Sequence, residues 1–304
     1  MPTPIVIDCD PGHDDAIAIL LALASPEVDL VGITTTHGNQ TLEKTTANAL
    51  KVLELAGRND IPVARGSELP LSRELTVADH VHGESGLDGP ELSEPTSQPV
   101  EQDALSFLAD RLAPGVVLVP TGPLTNVARL LEERPDVRPD RIVLMGGAIG
   151  LGNITPAAEF NIWADPEAAA AVFASGIDIT MVGLDVTHEA IVGPERTARL
   201  RALGGIGQVV AELIDFYSGY HRTTYGWDGP PVHDALAVAA VIRPELLETA
   251  HRHVAIETES ELSRGRTVVD LYSRTDEAPN AHVAVGVEAD AFLDLLEERI
   301  ASLR

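Results

Sequence analysis

The sequence predicts an α/β fold in which a mostly parallel central sheet is flanked by helices. Short apolar runs rich in β-branched residues alternate with longer runs of helical spacing over most of the 304 residues. This alternation is typical of parallel strands joined by right-handed crossovers. The chain contains neither linker-like composition nor an internal repeat. We therefore expect a single domain over residues 1–304, built on a Rossmann-like sheet with extra strands towards the C-terminus.

The first half of the chain is expected to alternate regularly between strands and helices. Its opening apolar run is short enough for a buried strand, and Ser25-Pro26 ends the Ala/Leu/Ile-rich helical run that follows. The expected strands are residues 4–7, 28–36, 61–64, 116–119 and 141–145, and the expected helices are residues 16–24, 42–55, 101–112 and 124–133. Gly/Pro/Ser-rich residues 65–99 interrupt this alternation, and a loop of that length is usually functional.

The second half of the chain is expected to begin with a polar loop and to end with antiparallel strands. The expected elements are a loop over residues 147–166, helices over 168–174, 206–225 and 290–303, another helix opening at His233, a strand over 178–186 and antiparallel strands within 251–287. Polar segments follow four of the predicted strands, at residues 8–15, 37–39, 121–126 and 146–161. Because ligands bind beyond the carboxyl ends of parallel strands, these segments should share one rim and one site.

The segment after the first strand is unusually acidic. Asp8, Asp10, Asp14 and Asp15 lie within eight residues, around a Pro-Gly turn. Like charges this close repel one another, and a hard divalent cation such as Ca²⁺ removes that cost because it takes several oxygen ligands at once. Solvated helix caps are the alternative interpretation, but four carboxylates behind a buried strand favour a metal site.

The amino-acid composition indicates where the protein is located and which kinds of partner it can bind. Acidic residues outnumber basic ones by 47 to 21, and the net charge of −26 disfavours nucleic acid and anionic membranes as partners. A small neutral or cationic substrate, or one held by a bound cation, fits this charge better. Cys9 is the only cysteine, so no intramolecular disulfide is possible and we expect a cytoplasmic protein. No apolar run reaches the length of a membrane span.

Three further patterns each allow a functional and a purely structural interpretation. His233-Asp234, after a Gly/Pro break, could supply a general acid and a metal ligand, or an ordinary helix cap beside a surface histidine. Residues 152–161 carry amides and a carboxylate that could hold sugar hydroxyls, or could simply form turns. The third pattern is an aromatic stripe on one helix face, suited to binding a flat ring or to core packing: Tyr217, His221 and Tyr225.

Together these motifs resemble the nucleoside hydrolase family of the inosine–uridine preferring type. The matching motifs occur in the family's order, from the first strand to the last third of the chain: Asp8-x-Asp10-Pro-Gly-x-Asp14-Asp15, Gly38-Asn39, His82-Gly-Glu-Ser-Gly-Leu, Thr121-Gly-Pro-Leu-Thr-Asn, Asn153-x-Thr-Pro-x-Ala-Glu159-Phe-Asn161 and His233-Asp234. The resemblance implies the nucleoside hydrolase fold and hydrolysis of ribonucleosides to free base and ribose. It also implies a role in nucleoside salvage and a homo-oligomer, either a tetramer or a dimer.

The resemblance also implies a role for each matching residue. One Ca²⁺ per subunit would be held by Asp10, Asp15, the backbone carbonyl of Thr121 and Asp234. The ribose would contact Asp14, Asn39, Asn153, Glu159 and Asn161, with Met145 alongside. The base would contact His82, in a loop over the site, together with His233 and the stripe Tyr217, His221 and Tyr225. Two residues depart from the family pattern, and we expect both to affect which base fits: His37 and His221.

The chemistry of N-glycosidic hydrolysis is consistent with these roles. It requires an activated water, a stabilised oxocarbenium-like sugar and a protonated leaving base. We expect Ca²⁺ to activate the water, Asp10 to act as general base and His233 as acid, with inversion at the anomeric carbon. Expected substrates are pyrimidine ribonucleosides, inosine or both, but not 5′-nucleotides.

Two alternative functions remain open at the level of sequence. The first is a calcium-dependent nucleoside- or ribose-binding protein without catalytic activity. The second is an aspartyl-phosphate-type phosphohydrolase, suggested by Asp8-x-Asp10 after the first strand. Its chemistry requires a cationic clamp on the phosphoryl group, and the only lysines, Lys44 and Lys51, fall inside a predicted helix.

Overall fold

An eight-stranded sheet organises the computed structural model, which describes residues 1–303. The strands are β1 (Thr3–Cys9), β2 (Val28–Thr35), β3 (Val63–Arg65), β4 (Val117–Pro120), β5 (Arg141–Met145), β6 (Ile179–Val182), β7 (Leu247–Arg252), β8 (Val254–Ile256), β9 (Thr267–Val269) and β10 (Ala281–Val287). The order in the sheet is β3-β2-β1-β4-β5-β6-β10-β7, and only β7 is antiparallel to its neighbour. Strands β8 and β9 form a separate antiparallel pair.

Helices cover both faces of the sheet. They are α1 (His13–Ala24), α2 (Leu42–Leu55), α3 (Asp79–His82), α4 (Ala104–Arg111), α5 (Thr125–Glu133), α6 (Phe160–Ala164), α7 (Pro166–Phe173), α8 (Leu184–Thr187), α9 (Pro194–Ala202), α10 (Gly205–Tyr225), α11 (His233–Ile242) and α12 (Ala289–Ser302). A short 3₁₀ turn covers Pro244–Leu246. Within residues 1–303, every helix is either too short or too polar to span a lipid bilayer.

The central strand β1 shows why the chain folds around its N-terminus. Its side chains alternate between the two faces, so that Ile5 and Ile7 belong to one apolar core and Val6 belongs to the other. The first core includes residues of α1, α10, α11 and α12, and the second includes residues of α4, α5 and α7. The strand order reverses between β1 and β4, which is the position where open parallel sheets bind ligands.

The structure confirms the predicted α/β architecture and corrects some of its details. Helix α2 and strand β5 have the predicted bounds, whereas α1 begins three residues early because the Asp15 carboxylate accepts a hydrogen bond from Gly12 N–H (3.0 Å). The strand expected over residues 178–186 ends at Val182, and α8 follows it. The C-terminal strands include antiparallel pairs as predicted, but β10 also pairs in parallel with β6.

Candidate active site

A cavity at the carboxyl rim of the sheet contains most of the residues that the sequence singled out. Strands β1, β2, β4 and β5 end at this rim, so the polar segments after them converge. The predicted site residues that line the cavity are Asp14, Asn39, His82, Thr121, Met145, Asn153, Glu159, Asn161, Tyr217, His221, Tyr225, His233 and Asp234. Asp10 and Asp15 do not line it, but both are buried and bonded to Asn39, which does.

Three carboxylates form a compact buried group that we call the acidic cluster: Asp14, Asp15 and Asp234. One oxygen from each lies within 4.8 Å of the others. Asp14 and Asp15 belong to the first turn of α1, and Asp234 belongs to the first turn of α11, which packs on α1. Burial raises the pKa of all three, to about 8 for Asp14, and neighbouring carboxylates add to the effect at Asp14 and Asp234.

Asp10 follows β1 directly, and two glycines, Gly38 and Gly122, let the backbone approach its carboxylate closely. Its Oδ2 accepts a hydrogen bond from Asn39 N–H (2.6 Å), whereas its Oδ1 is buried and lacks a hydrogen-bond partner among the described residues. A Cβ on Gly122 would lie 2.5 Å from Oδ1, and a Cβ on Gly38 would overlap Oδ2. Burial, followed by the charge of Asp15, raises the pKa of Asp10 well above its ordinary value. A buried carboxylate oxygen without a protein partner is free to ligate a cation or to accept a hydrogen bond.

The donors around the acidic cluster suit a hard divalent cation. Every candidate ligand atom is an oxygen, and buried carboxylates that repel one another are stabilised by positive charge. The Asp15 carboxylate is also fixed in place, because it accepts hydrogen bonds from Thr121 Oγ1 (2.8 Å) and Asn39 Nδ2 (3.0 Å). The acidic cluster could therefore hold a metal ion.

The carboxylates that lie closest together are only partly those expected as ligands from the family resemblance. Asp15 and Asp234 were expected as ligands, and both belong to the acidic cluster. Asp14, which we expected at the ribose, is the third member. Asp10, also expected as a ligand, lies outside the cluster but places an unpartnered oxygen beside Gly122.

Glu159 is a helix cap as well as a cavity residue. Its carboxylate accepts hydrogen bonds from the backbone N–H groups of Asn161 (2.8 Å), Gly147 (2.9 Å) and Ile162 (3.1 Å), which fixes the start of α6. Burial raises the pKa of Glu159 to about 7, and these hydrogen bonds oppose the shift. The side chain therefore reaches the cavity from a fixed position.

The amides expected at the ribose are likewise tied to the backbone. Asn161 Nδ2 donates to the carbonyl oxygens of Thr121 (2.8 Å) and Met145 (3.2 Å), which joins the loops after β4 and β5. Asn153 Oδ1 accepts from Phe160 N–H (2.9 Å) and closes the loop before α6. These bonds orient both side chains at the edge of the cavity before any substrate binds.

The other side of the cavity is lined by aromatic and imidazole rings. The stripe on α10 lies on one face, with Tyr217 edge-on to His221 at 4.5 Å between ring centroids and His221 stacked near Tyr225 at 5.9 Å. Tyr217 also stacks on His82 at 5.2 Å, which connects α10 to the long loop. The stripe faces the cavity, as a ring-binding surface requires.

His82 is held by a second histidine that the sequence did not single out. Its Nδ1 lies 3.0 Å from Nδ1 of His13, and the two rings stack at 5.3 Å. His13 Nε2 donates to the Asp88 carbonyl oxygen (2.8 Å), so the pair anchors α3 to α1. Burial lowers the pKa of His82 well below its ordinary value, and burial lowers that of His13 to about 4.

Some cavity residues were missed, and one residue that we expected to affect base fit does not line the cavity. His188 lines the cavity directly after α8, a helix that the sequence did not predict. Tyr220 also lines it, one residue from the stripe position His221. His37, which we expected to affect base fit, is fully buried away from the cavity lining, with Nε2 3.1 Å from Thr125 Oγ1.

Comparison with known families and proteins decides the family. The model of the inosine-uridine preferring nucleoside hydrolase family matches residues 5–294. The chain belongs to this family. The nucleoside hydrolase fold is confirmed by solved structures: a purine-preferring ribonucleoside hydrolase from Gardnerella vaginalis (TM-score 0.93, 35% identity, covering 99% of this chain and 98% of that one) and the plant nucleoside hydrolase PpNRh1 (TM-score 0.92, 36% identity, covering 99% of each chain).

A more similar nucleoside hydrolase occurs among the enteric bacteria. The pyrimidine-specific ribonucleoside hydrolase RihA of Shigella boydii serotype 4 (strain Sb227) is 54% identical over 307 residues, which covers 99% of each chain. The reaction class predicted from the sequence is therefore confirmed: the chain is an N-glycosyl hydrolase that cleaves ribonucleosides to base and ribose. The alternatives of a non-catalytic binding protein and of a phosphohydrolase are both wrong.

Proposed function

We propose that this nucleoside hydrolase prefers pyrimidine ribonucleosides, uridine and cytidine, over purine ribonucleosides. The observation that carries the proposal is the 54% identity, along the whole chain, to a hydrolase named pyrimidine-specific. The purine-preferring hydrolase with the same fold is only 35% identical. The cavity can hold such a base, since His82, His221, His233 and Tyr225 line it and can exchange hydrogen bonds with carbonyl oxygens and ring nitrogens.

The acidic side of the cavity would supply the nucleophile. We propose Ca²⁺ as the cation at Asp15, Asp234 and the Thr121 carbonyl oxygen, with Asp10 completing the set. When bound, it would lower the pKa of a water and help to bind the ribose hydroxyls. Asp10 would accept the proton of the attacking water on Oδ1, which no described protein group occupies. Attack opposite the base would invert the anomeric carbon.

The ring-lined side of the cavity would assist the leaving base. His233 lines the cavity at the start of α11, next to Asp234. Its Nδ1 is bonded within the protein, so Nε2 is the nitrogen left to donate to the base. We propose that the Nε2–H of His233 donates a hydrogen bond to the departing pyrimidine and so stabilises the negative charge that develops on it, because an unactivated base leaves poorly as an anion.

The remaining polar residues would select an unphosphorylated ribose. Asp14, Asn39, Asn153 and Asn161 line the cavity and would bind the sugar hydroxyls. Glu159 would lie near the 5′ end, and no described lysine or arginine lines the cavity to attract a phosphate. We therefore propose that nucleosides, and not their 5′-monophosphates, are the substrates.

Reducing-sugar release measured in parallel on uridine, cytidine, inosine, adenosine and guanosine tests the base preference. We expect kcat/KM for uridine and cytidine to exceed that for each purine nucleoside. Uridine 5′-monophosphate and 2′-deoxyuridine serve as matched controls for the ribose-binding side. Deoxyuridine should be worse by about 10⁴ because buried polar groups lose their partner. Purine nucleosides cleaved as well as uridine would refute the base preference, and efficient cleavage of uridine 5′-monophosphate would refute the placement of Glu159.

We also propose a cellular context and an assembly for the protein. The family resemblance supports a homo-oligomer, a tetramer or a dimer, that acts in nucleoside salvage. A single cysteine in 304 residues supports a cytoplasmic location. Light scattering of the purified protein across a concentration series tests the assembly, and a monomer at all concentrations would refute it.

A further inference from the structure

A buried hydroxyl lies directly behind His233. Thr187, the last residue of α8, is fully buried, and its Oγ1 lies 2.7 Å from Nδ1 of His233. The backbone of Thr187 is fixed by its own hydrogen bond, from Thr187 N–H to the Gly183 carbonyl oxygen (3.1 Å). Helices α8 and α11 pack together, so the hydroxyl and the imidazole are held by two fixed elements.

This hydrogen bond determines which ring nitrogen of His233 is available to substrate. Among residues 1–303, the Thr187 hydroxyl has no other hydrogen-bond partner, and His233 Nε2 has none at all. If the hydroxyl only accepted a hydrogen bond from Nδ1, its own proton would be left buried and unpaired. Leaving a buried donor unpaired costs about 1–3 kcal/mol. The hydroxyl therefore donates to Nδ1 of the neutral ring, which leaves the ring proton on Nε2.

We propose that Thr187 is a positioning residue for the reaction: its hydroxyl holds the imidazole of His233 so that Nε2–H faces the leaving base. The proposal deepens the proposed function and rests on the role of His233 at the leaving base. Thr187 does not touch the substrate in this arrangement. Its hydroxyl acts through His233, which is its only hydrogen-bond partner among residues 1–303.

Two substitutions of Thr187 separate the effect of the hydroxyl group from the effect of side-chain shape. Thr187→Val replaces the hydroxyl by a methyl group of similar size, and Thr187→Ser keeps the hydroxyl and removes the methyl. Thr197→Val is a matched control, since Thr197 is also buried in a helix and its hydroxyl donates to a backbone carbonyl, that of Gly193 (3.1 Å), away from the cavity lining. Its thermal melting shows what losing a buried threonine hydroxyl does to folding alone.

The substrates are uridine and p-nitrophenyl riboside, whose leaving group needs no proton. Thr187→Val should lower kcat on uridine by about 10- to 100-fold, since a small misplacement of a reacting group has effects of this size. Its KM for uridine and its kcat on p-nitrophenyl riboside should stay within about twofold, and Thr187→Ser should restore kcat on uridine to within about threefold. In a His233→Ala background, Thr187→Val should lower kcat on uridine by less than about a further twofold, because both substitutions remove the same function.

Several results would overturn the positioning role. They are an unchanged kcat on uridine in Thr187→Val, an equal loss on both substrates, or a full additional loss in the His233→Ala background. The His233→Ala variant alone separates this inference from the proposed function. If His233→Ala shows the difference between the substrates and Thr187→Val does not, only the role of Thr187 is wrong. If His233→Ala loses both substrates equally, the leaving-group step of the proposed function is wrong, and the role of Thr187 falls with it.

Discussion

Replacing Asp10 by asparagine should abolish most of the activity and leave the fold intact. The amide has the size of the carboxylate, and its oxygen can keep the hydrogen bond from Asn39 N–H. That bond keeps the amide oxygen in the place of Oδ2, so the NH₂ group takes the place of Oδ1. An amide nitrogen cannot accept the proton of a water. Losing a general base costs about two to four orders of magnitude in kcat, or about 2.7–5.4 kcal/mol in the barrier.

The assay for Asp10→Asn is ribose release from uridine at saturating substrate and Ca²⁺. Asp178→Asn is the control, since Asp178 precedes β6 at the opposite rim and its side chain is 60% exposed. Thermal melting in a chelator tests the fold. Because burial raises the pKa of Asp10, the neutral amide should melt no lower than the wild-type protein without a cation. A kcat for Asp10→Asn within about tenfold of wild type would refute the role of this residue as the general base.

Three further predictions concern stability. Without a cation, Asp14 keeps its proton to about pH 8 when folded but loses it near pH 4 when unfolded. The folded state then binds more protons, so the Asp14 proton alone should lower stability from pH 5 to pH 8 by up to about 1.4 kcal/mol per pH unit. Melting in chelator should show this fall, and Ca²⁺ should remove it. Glu159→Ala removes the cap of α6 and should cost about 2 kcal/mol in urea unfolding, and Glu159→Gln should cost less. Gly32→Ala would overlap the Phe107 ring and should cost about 1–3 kcal/mol, whereas Gly219→Ala, with open space around it, should cost nothing. A flat pH profile in chelator, or equal effects within either pair of variants, would contradict these expectations.

The sequence predicted the rim of the sheet well for two reasons. Hydrophobic periodicity identifies the strands locally, and parallel strands all have their carboxyl ends at the same edge of the sheet. Once β1, β2, β4 and β5 were recognised as parallel strands, the segments after them had to converge. Asn39, Thr121 and Asn161, which belong to these segments, line one cavity as expected from the strand order alone.

Two of the errors have local causes, and one arises from a contact between residues far apart in the sequence. Helix α9 was missed because its residues are mostly polar and charged, which leaves little apolar periodicity to recognise. The apolar residues of α8 continue those of β6, and periodicity alone cannot separate a strand from a short helix that follows it. His13 lies inside the recognised acidic segment, but its partner His82 is 69 residues away, and no local pattern predicts that contact.

The two helices that begin at the acidic cluster carry partial charges of their own. The first turns of α1 and α11 each present an N-terminus worth roughly half a positive elementary charge, from aligned peptide dipoles. Asp10, Asp14, Asp15 and Asp234 together supply four negative charges when ionised, so the helix ends reduce the sum to roughly minus three. A divalent cation would leave roughly one negative charge unmatched, and the ribose ring develops about one positive charge as the base departs. With the helix ends included, the net charge of the four carboxylates and a bound cation would be about equal and opposite to the charge that the ribose ring develops in the transition state.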